Sequence, residues 1–192
     1  MVDGRTARST ATKAKLLEAA REEFQRNGLA GGRVDAIADA AETNKRMIYA
    51  YFGSKNALFE EVVADNVRRV GAAVEFTPDD LPGYAVRLYD HWMTDTTSLR
   101  LFSWRNVELT TAPEFEDATY RQMIAAIEAT GVQRAAGMPA SHLLAFVFAL
   151  VLAWAIPAPA FAEPTDVTPA SRHESIATAV RNLVAGAGAA DQ

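Results

Sequence analysis

The chain has 192 residues, 49% hydrophobic and 22% charged, the composition of an ordinary globular protein with one large or two small domains. It contains no cysteine, which excludes disulfides, thiolate metal sites and cysteine nucleophiles. The net charge is −5, but residues 1–55 carry ten cations against seven anions, and the remaining residues carry a net −8. A basic amino-terminal part on an acidic body is expected where only that part meets phosphate.

The first predicted element is a helix that follows a polar tail. Residues 1–9 are polar and basic, and we expect them to be disordered in the free protein. The helix runs from Thr10 or Thr12 to Asn27, where Gly28 is a favoured stop.

Residues 33–55, RVDAIADAAETNKRMIYAYFGSK, contain two short helical patterns around a polar interruption. An apolar face at i, i+3, i+4 and i+7 begins at Val34, and Asn44 is a favoured N-cap for the next helix. Two short helices joined by a tight turn, the second rich in cations, predict a helix-turn-helix that reads DNA. On periodicity alone, the alternative is an ordinary helical hairpin with a solvated basic face.

The residues predicted to contact DNA lie on and around the second of these helices. Side chains in its first turn and on its outward face reach base edges, whereas those at its margins hold phosphates. The base-reading group is Asn44, Lys45, Arg46, Met47 and Tyr49, the phosphate group is Arg33, Tyr51 and Lys55, and Thr43 belongs to the same surface.

Beyond this motif the patterns predict only helices, about nine in the whole chain. Ser54 is a favoured cap for a long fourth helix, and Ser171 with Glu174 predicts a capping box for the last one. The predicted fold is all-α, with a three-helix DNA-binding domain over residues 10–55 and a linking helix that continues to about residue 76. A helical ligand-binding and dimerisation domain then occupies residues 77–192.

Residues 143–162, LLAFVFALVLAWAIPAPAFA, contain no charge, which raises the question of whether they span a membrane. Pro157 and Pro159 leave a helical run of fourteen residues, which spans about 21 Å. The hydrocarbon core of a bilayer is about 30 Å thick. We therefore predict a buried helix, no membrane contact and a cytoplasmic location.

Aromatic and methionine side chains crowd three helices of the predicted second domain. They are candidates to line a cavity for an apolar or aromatic small molecule, although such residues at helical spacing also form ordinary cores. The candidates are Trp92, Phe102, Trp104, Tyr120 and Met123.

The last two helices are the predicted homodimer surface, because they carry more apolar surface than one small body covers. Two copies would form a four-helix interface and present two recognition helices to a palindromic operator. The predicted interface residues are Phe146, Leu150, Trp154, Ile176, Val180 and Leu183.

No catalytic, metal or cofactor site is predicted. His91, His142 and His173 are scattered without the spacing of metal ligands, and no nucleophile elbow, phosphate-binding loop or paired-carboxylate motif is present.

The segment TNKRMIYAYFGSKNALF resembles the recognition helix and the following helix of the tetracycline-repressor (TetR) family of bacterial transcriptional regulators. The resemblance extends from Thr12 to Val62, and its most specific part is the I-Y-x-Y-F-x-S-K pattern that ends at Lys55. It implies an all-helical homodimer that binds an operator and releases it when a small molecule enters the body. Tyr49, Tyr51 and Lys55 match positions that commonly touch DNA, and Lys45 and Arg33 match frequent phosphate-contacting positions.

Three residues depart from that family pattern. Glu42 replaces the usual turn glycine, Gly32 replaces a Thr or Ser cap, and Met47 replaces a small hydroxyl residue. No operator sequence is therefore inherited from the resemblance. The alternative function is a helical small-molecule-binding protein or enzyme whose helix-turn-helix no longer reads DNA.

Overall fold

The computed structural model describes residues 4–156 and 168–186, and all of the regular secondary structure in these ranges is helical. Ten helices occur there: α1 (Gly4–Gly31), α2 (Val34–Ala40), α3 (Lys45–Phe52), α4 (Lys55–Ala73), α5 (Leu81–Thr94), α6 (Thr96–Glu108), α7 (Glu114–Thr130), α8 (Val132–Ala135), α9 (Ala140–Ala155) and α10 (Pro169–Ala185). The all-α prediction is confirmed, and the helix beyond the predicted nine is the four-residue α8.

Helix α1 begins at Gly4, so the prediction of a disordered tail up to residue 9 is wrong for residues 4–9. Ser9 and Tyr51 hydroxyl oxygens lie 3.1 Å apart, a tertiary contact that helps hold this first part of the helix. The predicted stop is present, because α1 is interrupted at Gly28, whose φ is 66° and ψ −173°.

A tight turn separates α2 from α3. Glu42, in this turn, has φ 53° and is the one non-glycine residue with positive φ in the described part of the chain. Left-handed φ is costly for a residue with a Cβ, which explains why a glycine would be the ordinary choice there. The side-chain oxygen of Asn44 accepts from the Met47 N–H at 3.2 Å, so the predicted N-cap of α3 is confirmed.

The core of the helix-turn-helix consists of apolar residues from α1 to α4 and one residue of α6. Phe24 of α1 and Phe59 of α4 are fully buried and meet edge to face, with ring centroids 5.1 Å apart. Ile37 of α2 and Ile48 of α3 are also fully buried in this core. Their burial fixes which face each short helix turns outward.

The chain divides into two compact units. The first unit contains the residues up to Arg69 together with Thr96–Glu116, and the second contains Val70–Asp95 and the residues from Asp117 onward. Helix α6, which follows the predicted domain boundary at residue 76 in sequence, therefore packs in the first unit, against α1. The boundary itself stays a prediction.

The second unit is built on the packing of α5, α9 and α10. The cap of α10 lies three residues before the predicted one, because Thr168 accepts from the Ser171 N–H and the Ser171 hydroxyl accepts from the Thr168 N–H. No helix within residues 4–156 and 168–186 is both long enough and apolar enough to cross a bilayer. Pro157 and Pro159 lie outside the described residues.

Candidate DNA-binding surface

Helix α3 is anchored by one face and exposes the other. Ile48 is fully buried, and Met47 and Tyr51 are half-buried against the same core. Arg46 is exposed and Tyr49 is 46% exposed. This division agrees with the faces that the spacing predicts. The exposed face presents a cation and a phenol, and the buried face fixes the helix on the core.

The start of α3 is held by hydrogen bonds and charges. The Asn44 side chain is exposed but already accepts from the helix, and the preceding Thr43 is half-buried. The Lys45 ammonium lies 2.7 Å from a carboxylate oxygen of Asp35, on α2, and both side chains remain about half exposed. The hydrogen bond to Asp35, assisted by its charge, raises the pKa of Lys45 above its ordinary value.

The predicted phosphate-holding residues at the margins have protein partners in this structure. The Lys55 ammonium donates to the carbonyl oxygens of Ala30 at 3.3 Å and Gly32 at 3.1 Å. The Tyr51 hydroxyl lies beside that of Ser9. Arg33 is exposed at the start of α2, and its backbone N–H donates to the Glu23 carboxylate at 2.9 Å.

Residues 29–31, the end of α1 after its break at Gly28, are held by a side chain that sequence reasoning missed. Glu108, at the end of α6, accepts from the backbone N–H of Ala30 at 2.9 Å and from that of Leu29. Trp104, one turn earlier, donates its indole N–H to the Gln25 carbonyl at 3.3 Å. The end of α1 that leads to Arg33 therefore depends on α6 as well as on its own neighbours.

The five candidate pocket residues fall in different units. Phe102 and Trp104 belong to the first unit, where Trp104 packs on the helix-turn-helix core, whereas Trp92, Tyr120 and Met123 belong to the second. Trp92 is 1% exposed, and both Trp92 and Tyr120 approach the Phe148 ring, with centroid distances of 6.3 and 5.7 Å. The ligand cavity itself stays a prediction.

The predicted dimer residues divide by burial. Ile176 and Val180 of α10 are 1% and 0% exposed within the single chain, so their side chains belong to its core and do not supply an outer surface. The periodicity identified an apolar face on α10 but not the helices that cover it. Phe146 is 50% exposed, whereas the remaining three are half-buried: Leu150, Trp154 and Leu183.

Two family profiles match this chain. The one described as "Bacterial regulatory proteins, tetR family" matches residues 16–62, which include α2 and α3. The one described as "Tetracyclin repressor-like, C-terminal domain" matches residues 80–182, more than half of the chain.

Three related proteins agree with these matches. The HTH-type transcriptional repressor SCO4008 of Streptomyces coelicolor is 37% identical over 156 residues, which cover 78% of this chain and 80% of that protein. The HTH-type transcriptional repressor NicS of Pseudomonas putida is 42% identical over 59 residues, 31% of this chain and 28% of its own. The solved structure of the transcriptional regulator SCO4942, also from Streptomyces coelicolor, superposes with a TM-score of 0.72 at 33% identity, and the match covers 88% of this chain and 96% of that one.

Proposed function

The chain belongs to the TetR family of bacterial DNA-binding transcriptional regulators, and we propose that it is a repressor whose operator is read by α3. The observation that carries this proposal is the outward face of α3, where Lys45, Arg46 and Tyr49 are exposed while Ile48 anchors the helix from behind. Cations at the start of a helix that enters the major groove are placed for base edges and flanking phosphates. A regulator of this kind acts on the chromosome, so the proposal places it in the cytoplasm.

The experiment is duplex binding as a function of salt. The probes are DNA flanking the chain's own gene and a duplex selected by the wild-type protein from a random-sequence pool. The logarithm of the binding constant should fall with the logarithm of salt concentration by about 0.9 for each phosphate neutralised. Failure to bind either duplex at low salt would contradict the proposal.

Two arginine substitutions localise the binding surface. Arg46→Ala should weaken binding to the selected duplex, by about tenfold or more if the side chain makes a bidentate base contact. Arg121→Ala is the matched control, because Arg121 is an exposed arginine of α7, in the second unit and outside the proposed dimer contact. Equal losses for the two variants would assign the effect to net charge and not to α3.

We further propose that a small apolar or aromatic effector binds the second unit and releases the operator. Release needs only a difference in the effector's affinity for the DNA-competent state and for another state, and about 1.4 kcal/mol changes operator affinity tenfold. Support comes from the half-buried rings of Tyr120 and Phe148, 5.7 Å apart, which supply apolar surface of the kind that such ligands contact. A compound screen that reads displacement from the selected duplex, followed by calorimetry without DNA, tests this.

The proposed operator-binding form is a homodimer that uses α9. From Ala145 onward its exposed residues recur at helical spacing as one mostly small apolar stripe: Ala145, Phe146, Ala149, Ala153 and, just after the helix, Ile156. An exposed apolar stripe on a helix is suited to pairing with the same stripe of a second copy. With α10 beside α9, two copies would form a four-helix contact.

A further inference from the structure

One ion pair joins the first turns of the two helices in the helix-turn-helix. Asp35 is the second residue of α2, and Lys45 is the first residue of α3. Their charged atoms are 2.7 Å apart, and their side chains are 61% and 49% exposed. The pair lies at the surface, so a phosphate can take the place of Asp35 opposite Lys45, and water can solvate either partner.

The local backbone makes this pairing asymmetric. A carboxylate in the first turn of a helix is favoured by the partial positive charge of the helix amino terminus, whereas a lysine there is disfavoured. An anion near Lys45 offsets this unfavourable interaction, and the Asp35 carboxylate supplies one. The other exposed anions near these short helices are Asp39 and Glu42, and Glu42 lies 3.7 Å from Lys15.

We infer that Asp35 determines how strongly the protein discriminates between its operator and other DNA, because it restrains Lys45. On a non-specific duplex, binding depends on cations that neutralise phosphates. A lysine already paired with a carboxylate releases fewer counterions when it meets a phosphate. On the operator, the same restraint directs Lys45 toward one position at the start of the recognition helix. Asp35 is thus a positioning residue that acts through Lys45, and the inference depends on the proposed DNA-binding surface.

Asp35→Asn tests this with two duplexes, the selected one and a scrambled one of equal length and composition. The variant should bind the scrambled duplex about three- to fivefold more tightly at low salt, the range that an exposed ion pair allows. Its salt slope on that duplex should steepen by about 0.9, since one more cation neutralises a phosphate. The preference for the selected duplex should fall by at least the same factor.

Three controls separate restraint of Lys45 from other effects of removing a charge. Asp39→Asn removes an equal charge from another exposed residue of α2 and should steepen the slope less. Asp35→Glu retains the carboxylate and should keep the wild-type discrimination. In a Lys45→Ala background, Asp35→Asn should change neither the slope nor the preference.

The result that overturns the inference is equal behaviour of Asp35→Asn and Asp39→Asn, or an Asp35→Asn effect that persists without Lys45. An unchanged slope in Asp35→Asn would also overturn it while wild-type binding still supports the proposed function. If the wild type binds neither duplex, both fail together. Asp35→Ser, read beside circular dichroism, provides a second neutral variant should the asparagine protein fail to fold.

Discussion

The Glu108 carboxylate accepts a hydrogen bond from the backbone N–H of Ala30 at 2.9 Å, across 78 positions of sequence. Its other oxygen accepts from the neighbouring Leu29 N–H. Both N–H groups belong to the segment after the break in α1, where the helix no longer supplies their acceptors. The Lys55 ammonium also donates to the carbonyl of Ala30, so charged side chains of α6 and α4 hold this one residue from both sides.

Glu108→Ala should destabilise the protein and weaken DNA binding. Hydrogen bonds to a charged group contribute about 1.5–3 kcal/mol, and because this carboxylate is only partly buried we expect the free energy of unfolding to fall by about 1–2 kcal/mol. Affinity for the selected duplex should fall as well, because this end of α1 leads directly to Arg33 and α2.

Urea unfolding and duplex titration at fixed protein concentration measure the two effects. Val107→Ala is the control, since Val107 is a neighbour on α6 and 78% exposed, and it should stay within about 0.5 kcal/mol of wild type. A Glu108→Ala protein as stable as Val107→Ala would show that the two hydrogen bonds add nothing.

Gly28→Ala should destabilise the protein more than the addition of one methyl group would suggest. The backbone there has φ 66° and ψ −173°, a region that costs a residue with a Cβ about 1–3 kcal/mol. A Cβ would also lie 2.8 Å from the Trp104 ring and 2.9 Å from the Glu108 carboxylate. Overpacking adds about 1–3 kcal/mol, so we expect a total loss in unfolding free energy of about 2–6 kcal/mol.

Gly137→Ala is a reference variant for positive φ without a clash. Its φ of 67° matches that of Gly28, but a Cβ there would meet nothing within 4 Å. Thermal unfolding of both variants should show the smaller loss for Gly137→Ala. Equal losses would mean that the Trp104 contact yields without cost.

Local features of the helix-turn-helix were predictable because they follow from short-range chemistry. Asn44 caps α3 and Ile48 turns inward because both effects arise within one or two turns of the residue concerned. The contact between Glu108 and Ala30 has no local signal, since a glutamate at the end of a helix is ordinary in sequence. The Asp35–Lys45 pair spans ten positions and needs the geometry of the turn to bring the two side chains together.

For α9 and α10, too, the sequence pattern predicted less than the structure shows. Periodicity assigned Ile176 and Val180 to an apolar face, but it carries no information about which surface covers that face. In the structure the chain's own second unit buries both. The predicted interface on α9 therefore depends on Phe146 and the small residues in line with it.

Phe146→Arg should convert a dimer into monomers. An arginine in the proposed apolar stripe would be buried without a partner in the dimer, whereas the monomer leaves it in water because Phe146 is 50% exposed. Sedimentation should show half the mass, and operator affinity should fall because two recognition helices are no longer joined. Val180→Arg is unsuitable for this test, since it would place the charge in the core of the single chain.

Gln122→Arg is the matched control for the dimer test, because Gln122 is an exposed residue of α7 and gains the same side chain. It should sediment like the wild type and retain operator binding. A wild-type protein that sediments as a monomer at concentrations that saturate the operator would contradict the proposed interface.

Glu42→Gly should stabilise the protein. A φ of 53° costs a residue with a Cβ about 1–2 kcal/mol, and glycine removes that cost while losing more chain entropy on folding, about 0.5–1 kcal/mol. The exposed contact with Lys15, 3.7 Å between charged atoms, contributes little. We expect a net gain in unfolding free energy of about 0.5–1 kcal/mol. Glu42→Gln removes the charge but keeps the strained backbone, so in parallel urea unfolding it should match the wild type, and an equal gain in both variants would attribute the effect to charge instead.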